Sequence, residues 1–219
     1  MPNIIFPGYV TEGLTDNRFL ESIIQRSFSE IAYQCQTEIE VYPIQKILKK
    51  PGEFVTNITQ CAIEAEEKGI MILCVHTDAD DNNDSNAFNF KINPAFNSVQ
   101  QYLAEICKNL VAVVPIHMTE AWMLADKNLL INEIHTNHNE IELGIHNRPE
   151  SYNDPKYIIE QAIRIARLNQ PQRRRNDLTI SDLYSPIGQK IDLISLNRLP
   201  SFQKFFEGLR QAFITLNYQ

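Results

Sequence analysis

Gly69–Ser85 reads GIMILCVHTDADDNNDS. Its first part, Ile70–Thr77, is apolar with no polar alternation, the pattern of a strand covered on both faces. Its second part packs four carboxylates, Asp78, Asp80, Asp81 and Asp84, around two amides, Asn82 and Asn83. Like charges this close repel, and either bulk water or a bound cation must compensate them. A buried strand ending in an acidic loop is what an α/β fold produces, because sites in such folds form where the strands end.

The neighbouring segments extend this pattern in both directions. Upstream, Asn3–Thr11 is mostly apolar and runs into Glu12; Pro7 and Gly8 interrupt it, so a bulge, or pairing only from about Gly8 onward, is expected. Thr15–Tyr33 carries Phe19, Leu20, Ile23, Ile24, Phe28 and Ile31 at helical spacing. Glu38–Gln45 alternates as a strand, and Phe54–Lys68 is helical. Downstream, Pro94–Lys108 reads as a helix with Phe96, Val99, Leu103, Ile106 and Cys107 inward; Leu110–Ile116 as a second continuous apolar strand; and Thr119–Ala125 as a helix with Thr119 as N-cap. Strands alternating with helical crossovers predict a parallel sheet of about four strands with flanking helices. After residue 126 the pattern changes to helices and loops: Pro155–Leu168 and Ser201–Leu216 are amphipathic, His135–Asp154 is polar and irregular, and Asn169–Asn176, NQPQRRRN, is a basic linker.

At 219 residues and 43% hydrophobic, the chain suits one domain, or one with an appended subdomain, and has enough apolar material for a core. No apolar stretch approaches the length of a membrane span, and MPNIIFPGYV has no basic n-region, so neither an anchor nor a signal peptide is expected. Cys35, Cys61, Cys74 and Cys107 form no CxxC pair; the last three sit among apolar neighbours and read as buried thiols of a cytoplasmic protein. Charge is unevenly spread. Residues 1–145 carry 9 Lys and Arg against 20 Asp and Glu, and residues 146–219 carry 11 against 7. Either solvated faces vary, or an acidic, cation-seeking half is joined to one able to face a polyanion.

Glu12 follows the first strand, Asp78 and Asp80 the third and Glu120 the fourth, so all leave the sheet at the same rim. On an extended DxD segment Asp78 and Asp80 share a side, with the small Ala79 between them. Such carboxylates need a partner, and hard oxygen ligands suit Mg²⁺ or Mn²⁺. Asp16 lies four residues after Glu12, either within this group or as a first-turn acid of the following helix.

With TEGLTD (Thr11–Asp16) as a glutamate motif and HTDADD (His76–Asp81) as a DxD motif, the chain resembles the TOPRIM superfamily, which includes topoisomerases, bacterial primases and OLD-family nucleases. VPIHMTEAWMLAD (Val114–Asp126) is similar to the third segment of small stand-alone TOPRIM-like proteins related to the OLD nucleases. The resemblance implies a TOPRIM-like catalytic domain over residues 1–126 with a helical extension, 127–219, packed on it. It also implies Mg²⁺- or Mn²⁺-dependent chemistry on nucleic-acid phosphodiesters, of DNA above all. Glu12, Asp78 and Asp80 would hold one ion, and Asp16 with Glu120 would help hold a second. Met118 stands where OLD nucleases usually offer a serine. OLD nucleases work with an ATPase; no GxxxxGK[ST] occurs here, so an ABC/OLD-type ATPase would be a separate chain, and a role in phage defence follows by analogy.

The expected chemistry is metal-assisted hydrolysis, with Glu120, or Glu12, as general base. Lys91, Arg173, Arg174 and Arg175 are candidate phosphate contacts, although three adjacent arginines are more often a solvated linker; Arg148 is a weaker candidate. Trp122 reads as core, His76 and His117 as ordered structural histidines, with His117 able to touch a scissile phosphate, and Asp81 and Asp84 as turn residues. Two other readings stand beside the nuclease: a non-catalytic TOPRIM-like subunit docked on an ATPase, and a phosphohydrolase of small nucleotides.

Overall fold

A computed structural model describes residues 3–168, 171 and 177–218. At its centre four parallel strands pair in the order β4-β2-β5-β6: β2 (Pro7–Val10), β4 (Gln45–Lys46), β5 (Ile72–His76) and β6 (Leu110–Val113). In register, Val10 lies opposite Val75, and His76 opposite Val113. Two shorter strands, β1 (Asn3–Ile5) and β3 (Ile39–Val41), form a separate parallel pair.

This pairing corrects two strand expectations. Asn3–Thr11 does not bulge; it divides at Phe6 and changes partners, so that Pro7, which has no N–H to give, opens β2 rather than interrupting a ladder. The Phe6 carbonyl still accepts from Met71 N at 2.8 Å. Glu38–Gln45 divides at Pro43 for the same reason, and the freed Ile44 N–H donates to Gln25 Oε1 at 2.6 Å.

Every residue of β5 is buried, and alternation sends its side chains to two cores. Ile72 and Cys74 pack with Phe19, Leu20 and Phe28 of α1 (Leu14–Gln34). Leu73 and Val75 pack on the other face with Ile58 of α2 (Phe54–Glu67) and Val99 of α4 (Asn93–Gln101). A continuous helical path leads into α4 through α3 (Ser85–Ala87) and a π-helical turn, Phe88–Ile92. That wider turn, closed by Asn93 N–H on Phe88 O, lies just before Pro94, whose ring would clash with the carbonyl four residues back. The helix expected over 94–108 therefore starts earlier, and it also stops earlier, at Gln101. At Tyr102, which is extended, the chain leaves the helix, and Leu103 is fully exposed while Ile106 and Cys107 still reach the core.

Among the described residues the remaining α-helices are α5 (Glu120–Met123), α6 (Lys127–Ile134), α7 (Pro155–Arg167), α8 (Tyr184–Lys190), α9 (Leu193–Leu196) and α10 (Pro200–Thr215). They cover the α1 side of the sheet, and one apolar cluster runs from Ile5 to Phe213. Within it Trp122 is fully buried, meets Phe202 edge-on at 5.2 Å and donates from Nε1 to Ser201 Oγ at 2.7 Å. Arg26 of α1 clamps the carbonyls of Gly188 and Ile191 at 2.7 and 2.6 Å. Cys61, Cys74 and Cys107 are buried free thiols. No described helix is long and apolar enough to cross a membrane.

Candidate metal centre at the strand rim

β2 hands its chain to α1 through Thr11, Glu12 and Gly13. The Thr11 hydroxyl donates to Asn17 Oδ1 at 2.9 Å, and Asn17 Nδ2 returns to the Gly13 carbonyl at 3.0 Å, fixing the turn. Asp16 Oδ2 accepts the Gly13 N–H at 2.9 Å, so Asp16 is indeed a capping acid. It is also buried and faces the end of β5.

The β5 ladder continues past its last residue: Thr77 N reaches Val113 O at 3.2 Å and Ala79 N reaches Pro115 O at 3.0 Å. Asp78 Oδ1 accepts from Thr119 N at 2.9 Å and from the Thr119 hydroxyl at 3.2 Å, and lies 3.3 Å from His76 Nε2. Thr119 thus spends its hydroxyl on Asp78 and not, as expected, on capping its own helix; α5 is a single turn, shorter than the predicted 119–125. Asp16, His76 and Asp78 each offer a ligand atom within 4.8 Å of the others.

Asp80 departs from the extended reading. Its φ is +54°, its N–H donates to His117 O at 2.9 Å, and its side chain is 71% exposed. It turns from Asp78 and joins Glu12 at Lys91, whose ammonium lies 3.4 Å from Asp80 Oδ2, 3.7 Å from Glu12 Oε1 and 3.0 Å from the Thr77 hydroxyl. The π-helical turn carries Lys91 to this position. The rim acids therefore form two adjoining groups, Asp16 and Asp78 around His76, and Glu12 and Asp80 around Lys91.

Glu120 is buried and accepts a hydrogen bond from the Tyr184 hydroxyl. Burial pushes its carboxyl above the usual range against the pull of that bond, and the charges of Asp78 and Asp16 push the same way. Burial likewise raises Asp16; His76 opposes it and Asp78 adds to it. For His76 burial favours the neutral ring, but the hydrogen bond and charge of Asp78, with Asp16 and Glu12, outweigh it and hold the imidazole above its ordinary value.

A divalent cation fits this donor set. The carboxylates are those a hard ion takes. Among the described residues, His76 Nδ1 is the only buried side-chain nitrogen or oxygen without a hydrogen-bond partner.

The DUF4276 family, described as a domain of unknown function, matches residues 11–210. The chain belongs to the DUF4276 family. No curated protein and no solved structure matches it. The matched span of this DUF4276 chain takes in the rim acids, Lys91, Tyr184 and most of α10.

The other residues singled out in the sequence play varied parts. His117, at φ +59°, takes the Asp80 N–H on its carbonyl and gives its own N–H to Asp81 O at 3.0 Å, so its backbone clamps the acidic turn. Asp81 caps that turn through Asn82 N and Asn86 Nδ2. Asp84 is not a solvated turn acid: it is buried and pairs with Lys204 of α10. Arg148 is exposed on a cleft of about 770 Å³ that Lys127, Arg198 and Lys204 also line, with Asn82–Asp84 forming its near wall. The cleft therefore adjoins the rim without containing it. Arg173, Arg174 and Arg175 lie outside the described residues. Tyr184 and Arg198 join the site and its surroundings with no motif to announce them, and Thr119, expected only as a helix cap, holds Asp78.

Proposed function

We propose that this DUF4276 chain is a divalent-cation-dependent hydrolase of nucleic-acid phosphodiester bonds, with DNA as the first candidate. One observation carries the reading: buried Asp16 and Glu120 and part-buried Asp78, contributed by three separate segments, meet at the C-terminal rim of a parallel sheet, beside a histidine nitrogen that no described protein group satisfies. The likeness of TEGLTD and HTDADD to TOPRIM motifs supports the same chemistry.

Asp16 and Asp78 would hold the cation, with Glu12 and Asp80 reaching it from the Lys91 side. Bound Mg²⁺ or Mn²⁺ supplies Lewis-acid neutralisation of the scissile phosphate. Glu120, raised toward neutrality and oriented by Tyr184, is the group placed to exchange a proton with the attacking water. Lys91 offers its ammonium to a phosphate oxygen. Arg148, Arg198 and Lys204 give the flanking strand a cationic path beside the rim. The free thiols support a cytoplasmic setting. By the same resemblance a separate ATPase subunit and a defensive role against phage belong to the proposal.

Incubating supercoiled and linear DNA with Mg²⁺ or Mn²⁺ tests it, comparing the wild-type chain with Glu12→Ala, Asp16→Asn, Asp78→Asn and Asp80→Ala. Cleavage by wild type that is lost in Asp16→Asn and Asp78→Asn is expected. Equal cutting by all five proteins, or none by any, defeats it. One observation favours a second reading, a cation-dependent binding subunit without turnover: Lys91 already offsets part of the charge of Glu12 and Asp80 from within the chain. Cation-dependent retention of DNA with no cleavage is its signature, and turnover of mononucleotides alone would indicate a small-nucleotide phosphohydrolase.

A further inference from the structure

We infer that His76 Nδ1 is itself a ligand of the rim cation, together with Asp16 and Asp78, and that the site therefore prefers a first-row transition-metal dication to Mg²⁺. The inference rests on the reading of this rim as a cation site, and deepens it by naming the class of ion. An all-oxygen set of Glu12, Asp78 and Asp80 would select Mg²⁺; an imidazole in the set shifts selection toward Co²⁺, Fe²⁺ and their neighbours.

Three features of the ring point this way. Its side chain is fully buried, and Nδ1 has no hydrogen-bond partner among the described residues, a costly state for a polar atom. Its other nitrogen is well supplied, with the Thr119 hydroxyl at 3.1 Å and Asp78 Oδ1 at 3.3 Å from Nε2. A metal-binding histidine is oriented in just this way, one nitrogen held by a carboxylate or hydroxyl and the other presented to the ion.

The separations agree. Nδ1 and Asp16 Oδ2 are 3.9 Å apart, too far for a hydrogen bond and wide enough for both to sit about 2.0–2.2 Å from one ion. Among the described residues the side-chain hydrogen bonds of Asp78 converge on Oδ1, which leaves Oδ2 for the cation. The side chains of Asp16 and Asp78 are 12% and 22% exposed, so an ion has a way in from their side. A protonated ring would offset only one of the two carboxylate charges, and its Nδ1–H would still have no acceptor within reach among the described residues.

The test uses the full chain, without nucleic acid, and Mn²⁺, Co²⁺ and Mg²⁺ alone as probes. Pulsed EPR of the Mn²⁺-loaded chain should show a directly coordinated nitrogen, and His76→Gln, which keeps a donor near Nε2 but none at Nδ1, should abolish that coupling. By calorimetry Co²⁺ should bind at least about tenfold more tightly than Mg²⁺, and His76→Gln should weaken Co²⁺ by at least about tenfold, the scale that even an outer-shell partner commands. If His76→Gln does not fold, Asp16→Asn serves, with the same loss of Co²⁺ affinity expected; unchanged affinity overturns the inference. Bound Mn²⁺ with no nitrogen coupling, or coupling that persists in His76→Gln, overturns it too while leaving a Mg²⁺-type hydrolase standing. No binding of any of the three ions removes both.

Discussion

The Tyr184 hydroxyl donates to Glu120 Oε1 across 64 residues of chain, and both side chains are buried. Burial, the hydrogen bond and the charge of Glu120 push the phenol well above its ordinary value, so it donates and does not ionise. The bond joins α8 in the C-terminal helical region to the first residue of α5 at the sheet's rim. Tyr184→Phe keeps the ring and removes the donor, leaving a buried carboxylate short of a partner. It should cost about 1–3 kcal/mol, read from the urea midpoint at unchanged slope, and should depress any cleavage activity. An unaltered midpoint would show that the bond does not hold the two segments together.

Raised carboxyls make the chain's stability depend on pH in a definite direction. Asp16 and Glu120 bind protons more tightly in the folded than in the unfolded state. Their contribution is therefore fully present below the ordinary carboxylate range and is lost as pH rises through the raised values. In chelator at neutral pH, Glu120→Gln, which can still accept from Tyr184, should melt above wild type. The rise should be about 2–4 °C for each kcal/mol recovered in a chain of this size, and the gap should close at pH 3–4. A variant less stable than wild type across that whole range would reverse the sign and refute the argument.

Burial pushes the Cys61 and Cys107 thiols up to about 11 and raises Cys74 as well. Thiolates are the reactive form, so at pH 8 these three should resist a thiol reagent until the chain unfolds. No more than one thiol, half-buried Cys35, should react in the native state, counted by mass spectrometry. Rapid labelling of Cys74 would mean that the centre of the sheet opens readily.

Gly188 of α8 lies against the α1 backbone: a Cβ there would sit 2.4 Å from the Phe19 carbonyl oxygen and 2.9 Å from its Cα. Neither backbone atom can swing aside, so Gly188→Ala must part the two helices. Overpacking of this kind should cost about 1–3 kcal/mol in urea unfolding. A neutral substitution would show that α8 sits less tightly on α1.

How much of this was legible beforehand follows from how local each signal is. The unbroken apolar run of β5 and the acids after it mark both a doubly covered strand and a rim, because burial and charge appear directly in side-chain type. The helical period is less trustworthy at an element's end. It runs on through Leu103, Ile106 and Cys107, yet the chain leaves the helix at Tyr102 and buries the last two from non-helical backbone. An extended DxD segment makes Asp78 and Asp80 neighbours on one side; the left-handed turn at Asp80 separates them. His76 shows in sequence only that a histidine ends an apolar strand. Whether Nδ1 finds a partner is decided by α1 and α5. Tyr184 lies in YSPIGQK, whose proline and glycine hide even its helix.

Lys91 separates two roles that one substitution should move in opposite directions. Its ammonium lies between Glu12 and Asp80, and so competes with any cation those carboxylates would hold. Lys91→Met removes the competitor and leaves two acids facing each other, which should favour a divalent ion and tighten cation binding by calorimetry. The same change takes a positive charge from the place where a phosphate would approach, so cleavage and DNA retention should fall, and the salt dependence of DNA binding should flatten by about one phosphate contact. Stability in chelator should change little, by about 0–1 kcal/mol, since the pair is partly exposed. Tighter cation binding with weaker DNA binding would assign Lys91 to both tasks. Weaker cation binding would mean that Lys91 organises the acids, and its proposed contact with phosphate would then need separate proof from the salt slope.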